Sequence, residues 1–226
     1  MEYVSEACSR ITGYSPDDFI KGKKISFNDL ILPEYRTPIW EKWQQVLNEN
    51  SIFEEEYPIH TASGNIRWLW ERGKCVTDEN NTIHLEGYIE DITGRKQAEK
   101  ELRKLSLAIE QNPVSVVITN AEGIIEYVNP KFTEMTGYEA SEATGKNPRI
   151  LKSDQMPFEI YQNLWGTITS GKIWNGELIN RMKSGKLYWA NKSISPIIDE
   201  WGKITNYVAI GEDISEKKKT ESELIK

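Results

Sequence analysis

The apolar positions in the second half of the chain switch between strand-like and helical spacing in a definite order. Val114 to Thr119 and Ile124 to Asn129 are β-rich runs parted by Asn120-Ala121-Glu122-Gly123, a turn-forming tetrapeptide, which predicts a hairpin. Pro130 to Thr136 reads as a short helix closed by Gly137, the residue type that most readily takes the left-handed position ending a helix. Between Pro157 and Ser170 the spacing is helical, with Phe158, Tyr161, Leu164, Trp165 and Ile168 in phase and Gly171 behind them. Three more strand-like runs follow, Gly176 to Arg181, Leu187 to Ile198 and Ile204 to Glu212, with Lys183-Ser184-Gly185 and Asp199-Glu200-Trp201-Gly202 as the turns. A hairpin, short helices and a three-stranded meander predict an α+β domain: an antiparallel sheet of about five strands with short helices on one face.

The same order of signals occurs twice. Thr12-Gly13-Tyr14 recurs as Thr136-Gly137-Tyr138, Ser63-Gly64-Asn65-Ile66-Arg67-Trp68 as Ser184-Gly185-Lys186-Leu187-Tyr188-Trp189, and Asp91-Ile92-Thr93 as Asp213-Ile214-Ser215, at offsets of 124, 121 and 122 residues. Such a drift indicates small length changes within a duplicated domain of about 110 residues, and excludes a short-period solenoid. In the first copy Ile66 to Thr77 and Ile83 to Glu90 repeat the back half, joined at Asp78-Glu79-Asn80-Asn81-Thr82. Its front half is short, since Glu2 to Ser5 stand where the second copy has Tyr127 to Asn129. The first hairpin strand is therefore expected to be missing, and the chain to be part of a longer protein. The expected division is a first domain over 1–93, a helical linker over 94–111, a second domain over 112–215, and the start of a charged helix over 216–226. The linker has Ala98, Leu102, Leu105 and Ile109 at heptad-like spacing. That seam suits either a helix laid on its own domain or a coiled-coil connector between two chains.

Composition narrows the function. With 28 Lys plus Arg against 35 Asp plus Glu the net charge is −7, so a phosphate backbone is repelled and no nucleic-acid partner is expected. Apolar runs are far shorter than the roughly 20 residues of a membrane span and no leader precedes the chain, so no membrane contact and a cytoplasmic location are expected. Cys8 and Cys75 each stand without a second cysteine nearby, which provides neither a disulfide framework nor a zinc site. His60 and His84 are isolated, and no nucleophile with its base, phosphate-cradling glycine segment or cyclase signature is present, so no catalytic residue is assigned.

Asp-Ile-Thr/Ser at the end of a third strand, entering a charged helix, with Thr-Gly-Tyr upstream and a Ser-Gly hairpin between, resembles the PAS/PAC sensory domain family over both copies. The first copy, with Ile66-Arg67-Trp68-Leu69-Trp70 and Gly87-Tyr88-Ile89-Glu90-Asp91-Ile92-Thr93, is similar to members that seldom carry a cofactor. The second has Gly145-Lys146-Asn147-Pro148-Arg149-Ile150-Leu151, Leu164-Trp165-Gly166, Ile173-Trp174-Asn175-Gly176 and Leu178-Ile179-Asn180-Arg181. Together these resemble the redox-sensing flavin PAS domains of nitrogen-fixation and methane-oxidation regulators. The resemblance implies FAD in the second domain only, with Asn180 on the pyrimidine edge, Asn147 and Trp165 lining the slot from the helical side, and Trp174 near the mouth. The residues themselves also allow Asn180 to face solvent or a neighbour, Trp165 and Trp174 to be core, and Asn147 to cap the turn at Pro148.

Departures limit the chemistry. Photosensing flavin relatives have a cysteine where this chain has Pro148 and a glutamine where it has Gly211, so no thiol adduct is expected; Val117 and Pro148 also replace polar groups of the redox relatives. The implied role is a sensory and dimerising module of a larger signal-transduction protein, most simply a sensor histidine kinase. It would pair as a homodimer through the linker helices and act on a downstream kinase or other output domain. The alternative is a ligand-free PAS repeat that relays signals from elsewhere.

Overall fold

A computed structural model of the 226-residue chain describes residues 3–20, 24–49, 51–77 and 82–224. Glu2 and Asp78 to Asn81, both used in the sequence reading above, lie outside the described residues. The chain divides into two compact units, Met1–Leu102 and Arg103–Lys226.

The first unit begins with helices α1 (Ala7–Thr12), α2 (Pro16–Phe19), α3 (Phe27–Leu30) and α4 (Pro33–Glu49), followed by strands β1 (Ile52–His60), β2 (Ile66–Thr77) and β3 (Ile83–Asp91). The strands form an antiparallel sheet in the order β1-β2-β3. This sheet has three strands among the described residues where a full copy has five. Sequence reading missed β1, whose Glu54-Glu55-Glu56 run masks the apolar alternation that buries Phe53, Tyr57 and Ile59. Those three, with Leu69, Phe19, Leu30 and Val46, form one continuous core.

The second unit contains β4 (Ser115–Asn120), β5 (Ile125–Val128), α6 (Pro130–Thr136), α7 (Ala140–Ala143), a 3₁₀ turn at Pro148–Leu151, α8 (Phe158–Thr169), β6 (Trp174–Arg181), β7 (Leu187–Ile198) and β8 (Ile204–Asp213). Its five strands run in the order β5-β4-β8-β7-β6, antiparallel throughout. The elements predicted from periodicity are found within two residues at either end, and β2 and β7 coincide with the predicted runs. Gly137 takes φ 75°, as a left-handed helix end requires, and Gly13 repeats it at φ 80° in the first unit. Helix α5 (Thr93–Glu110) occupies the linker, and α9 (Ser215–Leu224) follows β8. No helix among the described residues is long and apolar enough to cross a membrane.

The repeated motifs are repeated contacts. In each copy the threonine of Thr-Gly-Tyr accepts from the tyrosine's backbone N–H across the left-handed glycine, at 3.1 Å for Thr12 and 3.3 Å for Thr136. In each copy the Asp-Ile-Thr/Ser run ties the next helix to the middle of the sheet. Thr93 N donates to Asp91 Oδ1 at 3.0 Å while its hydroxyl accepts from Trp68 N at 2.9 Å; Ser215 N donates to Asp213 Oδ1 at 2.8 Å while its hydroxyl accepts from Trp189 N at 2.9 Å. One turn on, Lys96 lies over the Trp68 ring and pairs with Glu56 at 2.6 Å, and Lys218 lies over the Trp189 ring and pairs with Glu177 at 2.7 Å. These ion pairs are partly exposed and weak singly. The capping hydrogen bonds, the ring contact and the ion pair together give each helix a fixed start on its sheet.

Candidate functional site

Inner-face residues of the second sheet alternate along each strand: Val117 and Thr119 on β4, Leu178 and Asn180 on β6, Lys192 and Ile194 on β7, Tyr207 and Ala209 on β8. Facing them are α8 and the 3₁₀ turn, and the turn is held over the sheet by a bridge between Lys152 and Asn180 and by the Ser153 hydroxyl donating to Ile179 O. The two layers do not close. Between them lies a cavity of about 490 Å³, bordered by Val117, Phe132 and Leu151 on one side and Leu164, Ile168 and Leu178 on the other. Those residues belong to two separate core clusters, whereas the first unit has a single one. A void this size with a mostly apolar wall and few polar groups is what a small-molecule site requires.

Of the four candidate residues the structure brings three to the cavity. Asn180 is 3% exposed and lines it, and its side chain makes one hydrogen bond among the described residues, from Nδ2 to the Tyr188 hydroxyl at 3.3 Å. An amide offers two donations and two acceptances, so most of its capacity remains available on the cavity wall. Burial pushes the Tyr188 hydroxyl up to about 12, so the tyrosine stays protonated.

Asn147 lines the cavity, but its amide is committed: Nδ2 donates to Gly123 O at 2.9 Å and Oδ1 accepts from Arg149 N at 3.0 Å. It caps the 3₁₀ turn and ties it to the β4–β5 hairpin. Trp165 lines the cavity at 41% exposure, its indole edge-on to Tyr207 and pressed against Gly123, where a Cβ would stand 3.0 Å from the ring. Trp174 is not on the lining. Gly176 has no side chain, so the Trp174 indole folds back over it and donates from Nε1 to Asn163 Oδ1 at 3.0 Å, buried among Leu164, Ile168 and Leu178. The exposed tryptophan at the site is Trp165.

Sequence reading missed three residues here. Tyr161, on the lining, has a buried hydroxyl with no hydrogen-bond partner among the described residues. Lys192 lines the cavity from β7. Asn129, 1% exposed, knots the unit's entry: Nδ2 donates to Val114 O at 2.9 Å and to Ile109 O, at the end of α5, at 3.2 Å, while Oδ1 accepts from Val116 N and Phe132 N at 2.8 and 3.1 Å. Its signal was present as a cap residue before Pro130. Cys8 and Cys75 are free thiols, and no cluster of histidine, cysteine and carboxylate among the described residues is arranged to hold a metal.

A family model described as the PAS fold matches residues 1–89, and one described as the PAS domain matches residues 113–216. The nitrogen fixation regulatory protein of Klebsiella pneumoniae is 39% identical over 107 residues, 47% of this chain and 22% of its own. The oxygen sensor protein DosP of Escherichia coli K12 is 24% identical over 226 residues, 96% of this chain and 27% of its own. The chain thus spans about a quarter or less of these relatives. Among solved structures, an RNA-binding light-oxygen-voltage receptor aligns over 97% of this chain and 93% of its own at 14% identity, with a TM-score of 0.49. The two matched segments carry the Thr-Gly-Tyr and Ser-Gly motifs in the same order, the first ending just before Asp91-Ile92-Thr93 and the second including Asp213-Ile214-Ser215, and the chain belongs to the PAS domain family as two PAS domains in tandem.

Proposed function

We propose that the chain is the sensory module of a larger signal-transduction protein, with a sensor histidine kinase or similar output, and that its second PAS domain binds FAD as a redox-sensing cofactor. The observation that carries this reading is the hollow second domain, with the under-used amide of Asn180 on the cavity wall. A flavin ring needs an apolar slot, an aromatic wall and a partner for its pyrimidine edge. Leu164, Ile168 and Leu178 supply the first, Trp165 the second and Asn180 the third. Bound there, the flavin supplies reversible electron acceptance. The chain's own residues bind it, orient it and exclude water. Pro148 stands where a thiol would be needed for light-driven adduct chemistry, which favours redox over light as the signal. The first domain, whose buried residues form one continuous cluster, suits a relay and pairing role.

The route out is built from the same strands. Lys192, Ile194, Tyr207 and Ala209 line the cavity on β7 and β8, and Trp189 and Asp213 of those strands hold the first turn of α9. A change in cavity contents strains or relaxes that hold. Freshly purified protein should absorb at about 450 nm, the oxidised flavin band, and should bleach with dithionite and recover in air. A colourless protein that fails to take up added FAD sinks the cofactor assignment and favours the ligand-free relay.

The module is proposed to act as a homodimer. On α5, Leu102 and Leu105 are 67% and 59% exposed, and with Ala98 and Ile109 they form a seam that a second copy of the helix covers. Leu102→Glu with Leu105→Glu should shift the sedimentation mass at micromolar concentration from dimer to monomer. An unchanged dimer would place the contact elsewhere.

A further inference from the structure

The charged side chains on the cavity wall are Arg149, Lys152 and Lys192, and no aspartate or glutamate accompanies them, in a chain whose net charge is −7. Arg149 and Lys152 are exposed and engaged, with Arg149 Nε donating to Asn147 Oδ1 at 3.2 Å and Lys152 Nζ standing 4.6 Å from the Tyr161 ring centre. Lys192 differs. It occupies the inner face of β7 between Gly176 of β6 and Gly211 of β8, its direct cross-strand neighbours. Neither neighbour has a side chain to offer it. Its stem lies beside Gly211, with Cγ and Cε each 3.6 Å from where a Cβ would be.

No carboxylate pairs with the Lys192 amine among the described residues, and desolvation alone lowers its pKa to about 8. Lys192 is half-buried and lines the cavity. A buried cation without a counter-charge is costly, and an inward apolar side chain would fill the same row without that cost. Asn180 stands on the neighbouring strand four residues beyond the Lys192 row, about 13 Å along the sheet at the usual strand rise. Thr119 and Tyr207 line the wall as far beyond the Lys192 row on the other side, so the one cation of the sheet wall stands at its middle, with the Asn180 amide at one end and mostly apolar surface around it.

We propose that Lys192 is the anion-receiving group of this cavity, so that the ligand of the second domain is a planar, largely apolar molecule whose negative charge sits against the Lys192 amine. This rests on the reading of the cavity as a ligand site and not on flavin in particular. The charge belongs either to the ring system itself, as in a reduced flavin, or to an acidic substituent on it.

The test uses the full chain with Lys192 as found, Lys192→Met, which keeps the stem and removes the charge, and Lys192→Arg, which restores it. The first arm compares binding of 8-anilinonaphthalene-1-sulfonate with that of neutral N-phenyl-1-naphthylamine at pH 7. The preference for the sulfonate should fall at least about tenfold in Lys192→Met and return in Lys192→Arg. The second arm measures the midpoint potential of bound FAD. A charge on the ring moves it negative in Lys192→Met by about 30 mV for each tenfold loss of affinity for the reduced form in a two-electron couple, whereas an unmoved potential with a lost sulfonate preference assigns the charge to a substituent. Should Lys192→Met melt early, Lys192→Gln replaces it in both arms. Equal sulfonate preference in folded charged and uncharged variants overturns the proposal whether or not FAD binds. Failure to take up FAD with a charge-dependent sulfonate preference overturns only the flavin assignment.

Discussion

Asn129→Ala is expected to destabilise the second unit by about 3 kcal/mol, the cost of leaving more than one buried backbone group without its partner. The side chain is fully enclosed and joins four backbone groups: Ile109 O, Val114 O, Val116 N and Phe132 N. Phe132 N keeps a second acceptor in Asn129 O at 3.0 Å, whereas Val116 N and the Val114 carbonyl depend on the amide. For a unit of this size the loss corresponds to a fall of at least about 10 °C in the unfolding midpoint. Asn129→Asp separates the contributions, since it retains acceptance from Val116 and Phe132 and loses both donations. At neutral pH it should melt no higher than alanine, because its buried carboxylate faces the Ile109 and Val114 carbonyl oxygens, and it should gain stability relative to alanine as the pH falls and the carboxyl protonates, in thermal melts followed by circular dichroism. An alanine variant within about 1 kcal/mol of the parent would show that water or backbone movement replaces the knot.

Asn180→Ala should leave the fold in place and weaken flavin retention by about 1 to 3 kcal/mol, roughly 5- to 150-fold in dissociation constant. The amide spends one hydrogen bond on Tyr188 and presents the rest to the cavity, so its removal costs the protein little and the ligand a partner. Retention measured by absorbance after gel filtration, with parallel melts, tests this. Illumination of either protein should produce no adduct band at about 390 nm, since Pro148 stands at the thiol position of the photosensing relatives. Undiminished retention in Asn180→Ala would move the pyrimidine edge to another part of the wall, with Tyr161 and its unpartnered hydroxyl next in line.

The duplication, the order of elements, most strand ends and both glycine helix ends were legible in the amino-acid sequence, because each depends on residues close together in the chain: a period of two or of 3.6, a turn tetrapeptide, a glycine that accepts positive φ. The Asp-Ile-Thr/Ser motif was legible for the same reason, its aspartate and hydroxyl acting within two residues of each other before reaching Trp68 or Trp189. β1 was hidden where three glutamates broke the apolar alternation. Tertiary structure alone decided that the second unit holds an open space beneath its sheet, since that depends on volumes contributed by β4, β6, β7, β8, α8 and the 3₁₀ turn together. It sent Trp174 into the core over Gly176 and left Trp165 at the cavity, although both are tryptophans beside a glycine-containing stretch. It placed Lys192 between two glycines that come from strands 16 and 19 residues away in the chain. Local pattern tells a side chain which face of its strand it occupies; only the packing of distant segments determines whether that face meets a neighbour or an open space.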